Sequence, residues 1–307
     1  MAPNVALLRA FAAVAEHGGF TAAARALGVS QPAVSRAVRE LERSCGFELV
    51  ERSPRGARLT RAGEALLHDA RGVVAAMRSV ESTIASLGGL SHGRLHVGAS
   101  TTIATYVLPS VIGRFLELHP TVEVRLDTAH TRGVLQMLLD QALDTALTEA
   151  PVSHPRIRAR RWRTDRLVPI AAPGHPLSAR KRIPPSALAS ELLLLREPES
   201  GTRSIVLAGL RAAGAVPRRT MDIDGPEAIK QIAAHGRGVA IVSRYTVEEQ
   251  LALGTLVELD IPKLRIERPF YRLSLVHRRA SLAARAFDAL LDAAETPVVR
   301  SRRRASP

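Results

Sequence analysis

The sequence predicts a mostly helical N-terminal domain, a long linker helix, and a C-terminal α/β region of two lobes. Over residues 1–90, apolar residues recur at the spacing of amphipathic helices. The Gly88-Gly89 pair then marks a junction, beyond which strand-like runs alternate with helical stretches, as in α/β folds. With 307 residues, 46% of them hydrophobic, the chain can bury the cores of both parts. We expect the segments to span residues 1–60, 61–90, 91–297 and a basic, disordered tail, 298–307.

Three short helices are predicted in the first domain. Apolar residues starting at Val5 recur at helical spacing and stop at Gly18-Gly19. Thr21 is a good N-cap for a second helix, over Ala22 to Leu27. Ser30 is predicted to cap the third, and Pro32 lies in its first turn, where a missing N–H costs little.

The second and third helices, joined by a glycine-containing turn, describe a helix-turn-helix. The last helix of this motif enters the DNA major groove with its N-terminal residues toward the base edges. Here Val34, Val38 and Leu41 fall on the inward face, and small or basic side chains fall elsewhere. Gln31 and Ser35 can hydrogen-bond base edges, and arginines can bind guanine or phosphate. Taken singly, each of these polar side chains could equally be an ordinary solvated one.

A β-hairpin is predicted after the third helix, because FELVERSPRGARLT holds a Ser53-to-Gly56 turn between two extended pieces. It would form a wing that carries arginines along the DNA backbone. The predicted DNA-contacting residues are Thr21, Ser30, Gln31, Pro32, Ser35, Arg36, Arg39, Arg52 and Arg55.

A long helix, capped by Thr60, is predicted to run to about Leu87. Its apolar residues are spaced 7, 4, 3, 4 and 3 apart, which is typical of a coiled-coil heptad pattern. The residues of this stripe are Leu66, Val73, Met77, Val80, Ile84 and Leu87. They indicate a dimer contact, although a single amphipathic helix packed on its own domain would show the same pattern.

Eight strands are predicted in the C-terminal region, with helices between most of them, including Thr105–Leu118 and Gly133–Gln141. The strands are Leu95–Gly98, Val122–Leu126, Thr145–Thr148, Leu167–Ala171, Leu192–Leu195, Val239–Val242, Leu256–Leu259 and Arg272–Val276. Such alternation favours largely parallel sheets, divided between two small lobes rather than joined in one sheet. Arg156 to Arg163 alternate like a strand with one basic face, either an oligomer surface or a solvated outer strand.

Two polar loops are the best candidates for binding a small anion. GASTT, Gly98 to Thr102, follows a strand and opens a helix, so that free N–H groups and hydroxyls face the same point. ESGTRS, Glu199 to Ser204, has the same arrangement, and Arg203 can hold a carboxylate or a phosphate. Simple N-capping by Ser and Thr would explain each loop alone equally well.

Several function classes are disfavoured. Cys45 is the only cysteine, and no apolar run of membrane-spanning length or signal-peptide pattern is found, so we expect a cytoplasmic protein. No Gly-x-Ser-x-Gly elbow, P-loop or dinucleotide fingerprint is present, and the His92/His96 pair lacks the context of a metal site. Neither a catalytic nor a metal site is therefore predicted. The net charge of +14 fits nucleic-acid binding but equally a solvated, arginine-rich surface.

A family resemblance is carried by LRAFAAVAEHGGFTAAARALGVSQPAVSRAVRELE, followed by ER and LTRAGEALL. These residues resemble the N-terminal signature of the LysR-type transcriptional regulators. The resemblance implies a winged helix-turn-helix, a dimerising linker helix and a C-terminal effector domain of the periplasmic-binding-protein type. Val50 stands where a phenylalanine is usual before the ER pair, and Cys45 is also a departure; both are consistent with changed packing.

The C-terminal segments GASTTIATYVLP, LDTAL, LREPESGTR and EAIKQ resemble the effector domains of a LysR-type subgroup that regulates carbon-fixation and sulfur-assimilation operons. Gly225-Pro226 and Arg237 depart from that pattern, so the effector chemistry can differ. The resemblance implies a cleft between the lobes lined by Ser100, Thr101, Thr102, Thr128, Thr202 and Arg203.

We therefore expect a metabolite-responsive regulator with no cofactor other than a small, anionic effector. Its expected partners are double-stranded promoter DNA, the effector, further copies of itself in a dimer or tetramer, and RNA polymerase, with no membrane partner. The alternative, a solute-binding protein without a regulatory role, is opposed by the fused DNA-binding module.

Overall fold

The structure, a computed structural model, describes residues 4–53, 56–86 and 93–293. Arg55, Leu87 and the predicted tail lie outside the described residues, and of Arg52 only the backbone is described. The N-terminal elements are α1 (Val5–His17), α2 (Phe20–Leu27), α3 (Gln31–Cys45), β1 (Val50–Ser53) and β2 (Gly56–Leu59). The predicted helix-turn-helix and its two-stranded wing are both present.

The N-terminal helices pack around one apolar core that includes Phe11 and Leu41, each 0% exposed. α1 ends at His17 and is capped by Gly18, whose φ of 67° lies in the left-handed region that glycine adopts without strain. α3 begins as predicted, because the Ser30 hydroxyl accepts a hydrogen bond from the Ala33 N–H at 3.4 Å.

The predicted start of the second helix is wrong by two residues. α2 begins at Phe20 with Gly19 as its N-cap, so that Thr21 lies within the first turn and does not cap the helix. Phe20 packs against the N-terminal core, which favours starting the helix at that apolar residue.

α4 (Arg61–Ser86) connects the two parts of the molecule. It starts as predicted, since the Thr60 hydroxyl accepts a hydrogen bond from the Gly63 N–H at 3.0 Å. Its first half packs against α1 through Ala70 and Val74. Arg71 then forms an ion pair with Asp140 of the C-terminal region at 2.7 Å.

The C-terminal region alternates strands and helices over its whole length. Its strands are β3 (Gly93–Ala99), β4 (Val122–Thr128), β5 (Thr145–Thr148), β6 (Ile157–Ala171), β7 (Leu192–Arg196), β8 (Arg219–Ile223), β9 (Val239–Ser243), β10 (Val257–Glu258) and β11 (Ile266–Leu275). Its α-helices are α5 (Leu108–Leu118), α6 (Thr131–Leu139), α7 (Gly201–Ala212), α8 (Pro226–Ala234), α9 (Glu248–Leu253) and α10 (Leu282–Ala293). A π-helical turn, Ile103–Val107, runs into α5, and 3₁₀ turns cover Pro185–Ser190 and Arg244–Val247.

The two-lobed architecture is confirmed, but the sheets are not separate. The strands form one hydrogen-bonded series, β4-β3-β5-β11-β6-β9-β7-β8, with β10 beside β6. The long strands β6 and β11 pair antiparallel with each other and pass from one lobe to the other. Pairing is parallel within each lobe and antiparallel wherever these two crossing strands take part. Their length was not predicted, because charged residues interrupt the apolar patterns of both.

Each lobe has its own apolar core. Leu95, Phe115 and Phe287 belong to the first lobe's core, and Leu193 and Leu210 to the second lobe's. β8 was not predicted, since four of its five residues are exposed and it lacks an apolar pattern. The arginine-rich segment forms the first half of β6, where Arg158, Arg160 and Arg161 are exposed.

Candidate functional sites

The first candidate site is the outward face of α3. Val34 and Val38 are each 1% exposed and hold the helix against the core. On the other side Pro32, Arg36 and Arg39 are exposed, and Gln31 at the leading end is partly exposed. The helix therefore presents a basic, polar face to solvent, with its N-terminal end free of bulky apolar groups.

Ser35, for which the sequence predicts a contact with base edges, is buried in the structure. Ser35 is only 3% exposed because, one residue after Val34, it lies at the edge of the buried face. Arg39 folds back over it, donating hydrogen bonds to its hydroxyl at 3.1 Å and to its carbonyl at 3.3 Å. Base contact by Ser35 would require Arg39 to move.

The remaining predicted DNA contacts stand as follows. Thr21, in the first turn of α2, and Ser30, in the turn between α2 and α3, are both exposed. Arg58, on the second strand of the wing, is also exposed. Contacts by Arg52 and Arg55 stay predictions.

The second candidate site is the apolar stripe of α4. Val73 and Met77 are 41% and 42% exposed, and Val80 and Ile84 are 50% and 64% exposed. Leu66, in contrast, is partly buried against the N-terminal core. Four consecutive stripe residues thus remain uncovered within the described part of the chain, whereas the first is used for packing inside its own domain.

The third candidate site is the junction between the lobes, the expected floor of the cleft, where Arg268 of β11 is 1% exposed. Its Nε donates to Asp165 of β6 at 2.8 Å, and one terminal nitrogen donates to Glu149 at 2.5 Å. That nitrogen also donates to the Thr202 hydroxyl at 2.7 Å, and the other lies 3.4 Å from the Thr102 hydroxyl. The buried guanidinium therefore connects both lobes and both crossing strands.

The two carboxylates of this network respond differently to burial. Burial raises the pKa of Glu149, but the charge of Arg268 and the hydrogen bonds from Thr102 outweigh it, so that the pKa is lowered overall. For Asp165, burial prevails over Arg268 and the Ser243 hydroxyl, and its pKa is raised. Glu149 is thus firmly ionised, and its anionic oxygens face the donors of the cleft.

The predicted effector residues divide into two groups. Ser100, Thr102 and Thr202 are buried around Glu149 and Arg268, and the Ser100 hydroxyl helps to lower the pKa of Glu149. Thr128 is exposed and Thr101 partly so. Arg203 donates to Asp222 at 2.5 Å and to the Arg196 carbonyl at 2.7 Å. This arrangement turns Arg203 away from the cleft floor and gives it a role in the second lobe.

The sequence analysis missed the three ionisable residues at the centre of this site. Arg268 follows Glu149 by 119 residues and Asp165 by 103, so no local spacing links them. The one available signal was a charge inside an otherwise strand-like segment, where a charged residue is buried only if it is paired.

The rim of the cleft also bridges the lobes. Tyr106 of the first lobe donates to Glu227 of the second at 2.9 Å, and Lys230 reaches the same carboxylate at 2.8 Å. Burial and the Glu227 hydrogen bond raise the pKa of Tyr106, so its hydroxyl remains a donor. Also in the second lobe, the Glu197 carboxylate pairs with the Arg196 guanidinium at 2.6 Å. The cleft thus contains several buried cations, each matched by a carboxylate.

No group of three or more potential metal ligands occurs within residues 4–53, 56–86 and 93–293. Across the same ranges, none of the helices combines the length and the apolar character needed to span a bilayer.

Comparison with known proteins gives consistent matches over nearly the whole chain. The model for "Bacterial regulatory helix-turn-helix protein, lysR family" matches residues 5–64, and that for "LysR substrate binding domain" matches residues 88–296. A RuBisCO operon transcriptional regulator from Allochromatium vinosum is 35% identical over 280 residues, which is 91% of this chain and 92% of that protein.

Two solved structures are informative. The regulatory domain of CcmR from Synechocystis PCC6803, in complex with 2-PG, is 28% identical and covers 67% of this chain and 99% of its own, with a TM-score of 0.62. Full-length CbnR complexed with its target DNA is 26% identical and covers 95% of this chain and 100% of its own, with a TM-score of 0.58.

Proposed function

This chain belongs to the LysR family of bacterial transcriptional regulators, and we propose that it reads operator DNA with α3 and binds a small anionic metabolite between its two lobes. Family members are DNA-binding regulators with an effector domain, not enzymes. The proposal for this chain concerns which residues bind DNA and which bind the effector.

The observation that carries the DNA-binding assignment is the division of α3 into a buried valine face and an exposed arginine face. Gln31 and Arg36, near the start of the helix, are positioned to reach base edges, and Arg39 to reach phosphate. Thr21, Ser30, Pro32 and the wing arginines would complete the contact. CbnR, a structural relative, has been solved with its target DNA, which supports the same mode of use.

An anionic effector is supported by the cleft's chemistry. Arg268, Lys230 and Arg196 are each less than 9% exposed, and the hydroxyls of Ser100, Thr102 and Thr202 lie at the floor. The CcmR regulatory domain, similar over two thirds of this chain, was solved with 2-PG (2-phosphoglycolate). A small carboxylate or phosphate ester is therefore the effector class proposed here.

Self-association would use the exposed stripe of α4. Val73, Met77, Val80 and Ile84 form a continuous apolar strip that water would otherwise solvate, and a second α4 would cover it. A dimer places two α3 helices on half-sites one helical turn, or a multiple of it, apart. A tetramer, RNA polymerase as a further partner and action in the cytoplasm remain part of the proposal.

Effector control requires that the ligand bind one arrangement of the lobes more tightly than another. The strands β6 and β11 cross between the lobes, so a change in the angle between the lobes would reach the parts of the C-terminal region that contact α4. One such contact is the ion pair between Arg71 of α4 and Asp140.

The test is binding of the purified protein to the intergenic DNA upstream of its own gene, followed by fluorescence anisotropy. Salt is titrated, random DNA is the control, and small anionic metabolites are added one at a time. Specific, salt-sensitive binding that one metabolite alters supports the proposal. No binding to any DNA would instead favour a solute-binding protein without a regulatory role.

A further inference from the structure

Glu149 lies immediately after β5 and projects its carboxylate into the floor of the cleft. Oε1 accepts the Thr102 N–H at 2.9 Å, and Oε2 accepts from the Thr202 hydroxyl at 3.3 Å and from Arg268 at 2.5 Å. These donors belong to three elements: the turn that follows β3, the start of α7, and β11. Together they are the donor set that proteins use to hold a free carboxylate or phosphate.

The same donors are those that the GASTT and ESGTRS loops offer to an effector anion. Glu149 is 8% exposed, and Thr102 and Thr202 are 2% and 5% exposed, so solvent does not compete for the site. Ser100, 4% exposed, adds a further hydroxyl beside Glu149, where it helps to lower the pKa of that carboxyl.

We propose that Glu149 is a tethered ligand, which occupies the anion subsite of the cleft and must be displaced before a free carboxylate or phosphate can bind there. The proposal rests on the proposed function only in taking the cleft as the effector site.

The subsite would survive the departure of Glu149, because Arg268 is held from its other side. Asp165 accepts from the guanidinium Nε at 2.8 Å, and Asp165 is in turn fixed by the Ser243 hydroxyl at 2.8 Å. The nitrogen that Glu149 releases therefore remains directed at the cleft, ready for a free anion.

Tethering has a quantitative consequence. A free anion binds only in the fraction of molecules whose subsite is vacant, and its apparent affinity falls by that fraction. If Glu149 occupies the subsite at least about nine-tenths of the time, removing its carboxylate raises the apparent affinity about tenfold or more. The affinity of the cleft for an anion then depends on Glu149 as well as on the contacts that the effector itself makes.

The experiment is chemical rescue of Glu149→Ala in the full-length protein, with acetate as the probe, because acetate resembles the group removed. The midpoint of thermal unfolding is measured against acetate concentration, with chloride holding the ionic strength constant. Wild type and Glu123→Ala are the controls, since Glu123 pairs with Arg94 on the exposed surface. We expect a lower midpoint for Glu149→Ala without acetate, and a saturable rise with acetate that neither control shows.

Glu149→Gln provides the second variant, because its amide keeps the side-chain volume if the alanine variant does not fold. It is also expected to bind acetate more tightly than wild type, since a neutral amide is a weaker competitor at Arg268. An equal response of all four proteins to acetate overturns the proposal. So does a loss of stability that acetate restores in neither variant, which would make Glu149 a structural clamp.

Both measurements are made without DNA, so their failure is separable from failure of the proposed function. One outcome is that Glu149→Ala binds acetate while no anion alters DNA binding by the wild type or the variant. The anion subsite would then be supported, and a regulatory role for anions would be contradicted. If metabolites do alter DNA binding but neither variant gains affinity for acetate, the tethered ligand is wrong and the regulator stands.

Discussion

The N-terminal region leaves its candidate DNA-binding and dimer-contact residues in solvent, whereas the C-terminal region buries most of its candidate effector-binding residues. On α3 the side chains of Arg36 and Arg39 are exposed, and on α4 a strip of valine, methionine and isoleucine is uncovered. In the cleft, Arg268 is 1% exposed and bound by two carboxylates.

This difference determines how each half can bind a partner. An exposed arginine that is not paired with a carboxylate meets phosphate without first breaking an ion pair, so binding is fast and salt-sensitive. A buried, fully paired arginine accepts a new anion only by exchange for one it already holds. Binding by the N-terminal region should therefore respond to ionic strength, and binding by the C-terminal region should respond to the identity of the anion.

The largest expected effect concerns the exposed stripe. Val73→Asp combined with Val80→Asp places four carboxylates in the proposed dimer contact, and each buried polar group without a partner costs about 1–3 kcal/mol or more. Self-association should weaken by on the order of a thousandfold. Light scattering after size exclusion measures the mass.

Val216→Asp with Leu253→Asp is the matched control, because these residues are 62% and 70% exposed outside the stripe. The control pair should keep the native mass. A stripe variant that still assembles like wild type would place the dimer contact elsewhere, and α4 would then be a helix whose apolar residues serve only its own domain.

The next effect tests the buried half. Arg268→Met keeps much of the side-chain volume but leaves Glu149 and Asp165 buried without their cation. Breaking a buried pair in this way costs about 3–5 kcal/mol of unfolding free energy. Urea denaturation measures the loss. Arg94→Met, which breaks an exposed ion pair, should cost no more than about 1 kcal/mol.

The stability of Arg268→Met relative to wild type should also depend on pH. Without Arg268, burial and mutual repulsion raise the folded-state pKa values of both carboxylates above their unfolded values. A group with a raised folded pKa favours folding at low pH and loses that contribution as pH rises through the folded value. The deficit of Arg268→Met relative to wild type should therefore shrink from about pH 8 to about pH 5. A constant deficit would mean that lost packing, not charge, is responsible.

Local sequence patterns predicted most of the N-terminal region but not the buried site of the C-terminal region. Ser30, Pro32 and Gly18 mark helix ends by their own backbone chemistry, so the helix-turn-helix was predictable from a short window. Glu149 and Arg268 meet only because β11 crosses between the lobes, and nothing near either residue encodes that pairing. Ser35 shows the limit even for local patterns, since its burial depends on how α3 is rotated on its core.

A smaller effect is expected for base contacts. Gln31→Ala or Arg36→Ala should each lower affinity for the operator by about 1–3 kcal/mol, because each removes hydrogen bonds to base edges. Random DNA should be affected less by Gln31→Ala, since an uncharged side chain adds little to phosphate attraction. Arg114→Ala, an exposed arginine on α5, is the control for loss of charge. Operator affinity unchanged in both α3 variants would remove the recognition-helix assignment.

The smallest effect separates phosphate contact from base contact within α3. Arg39→Ala should weaken binding to operator and random DNA alike, because a phosphate contact carries no sequence information. It should also reduce the slope of log affinity against log salt by about 0.9, the contribution of one neutralised phosphate. Anisotropy titrations at four or more salt concentrations measure both quantities. Because Arg39 also covers Ser35, its removal exposes that hydroxyl. A loss confined to operator DNA, with the salt slope unchanged, would mean that Arg39 and Ser35 act together in reading bases.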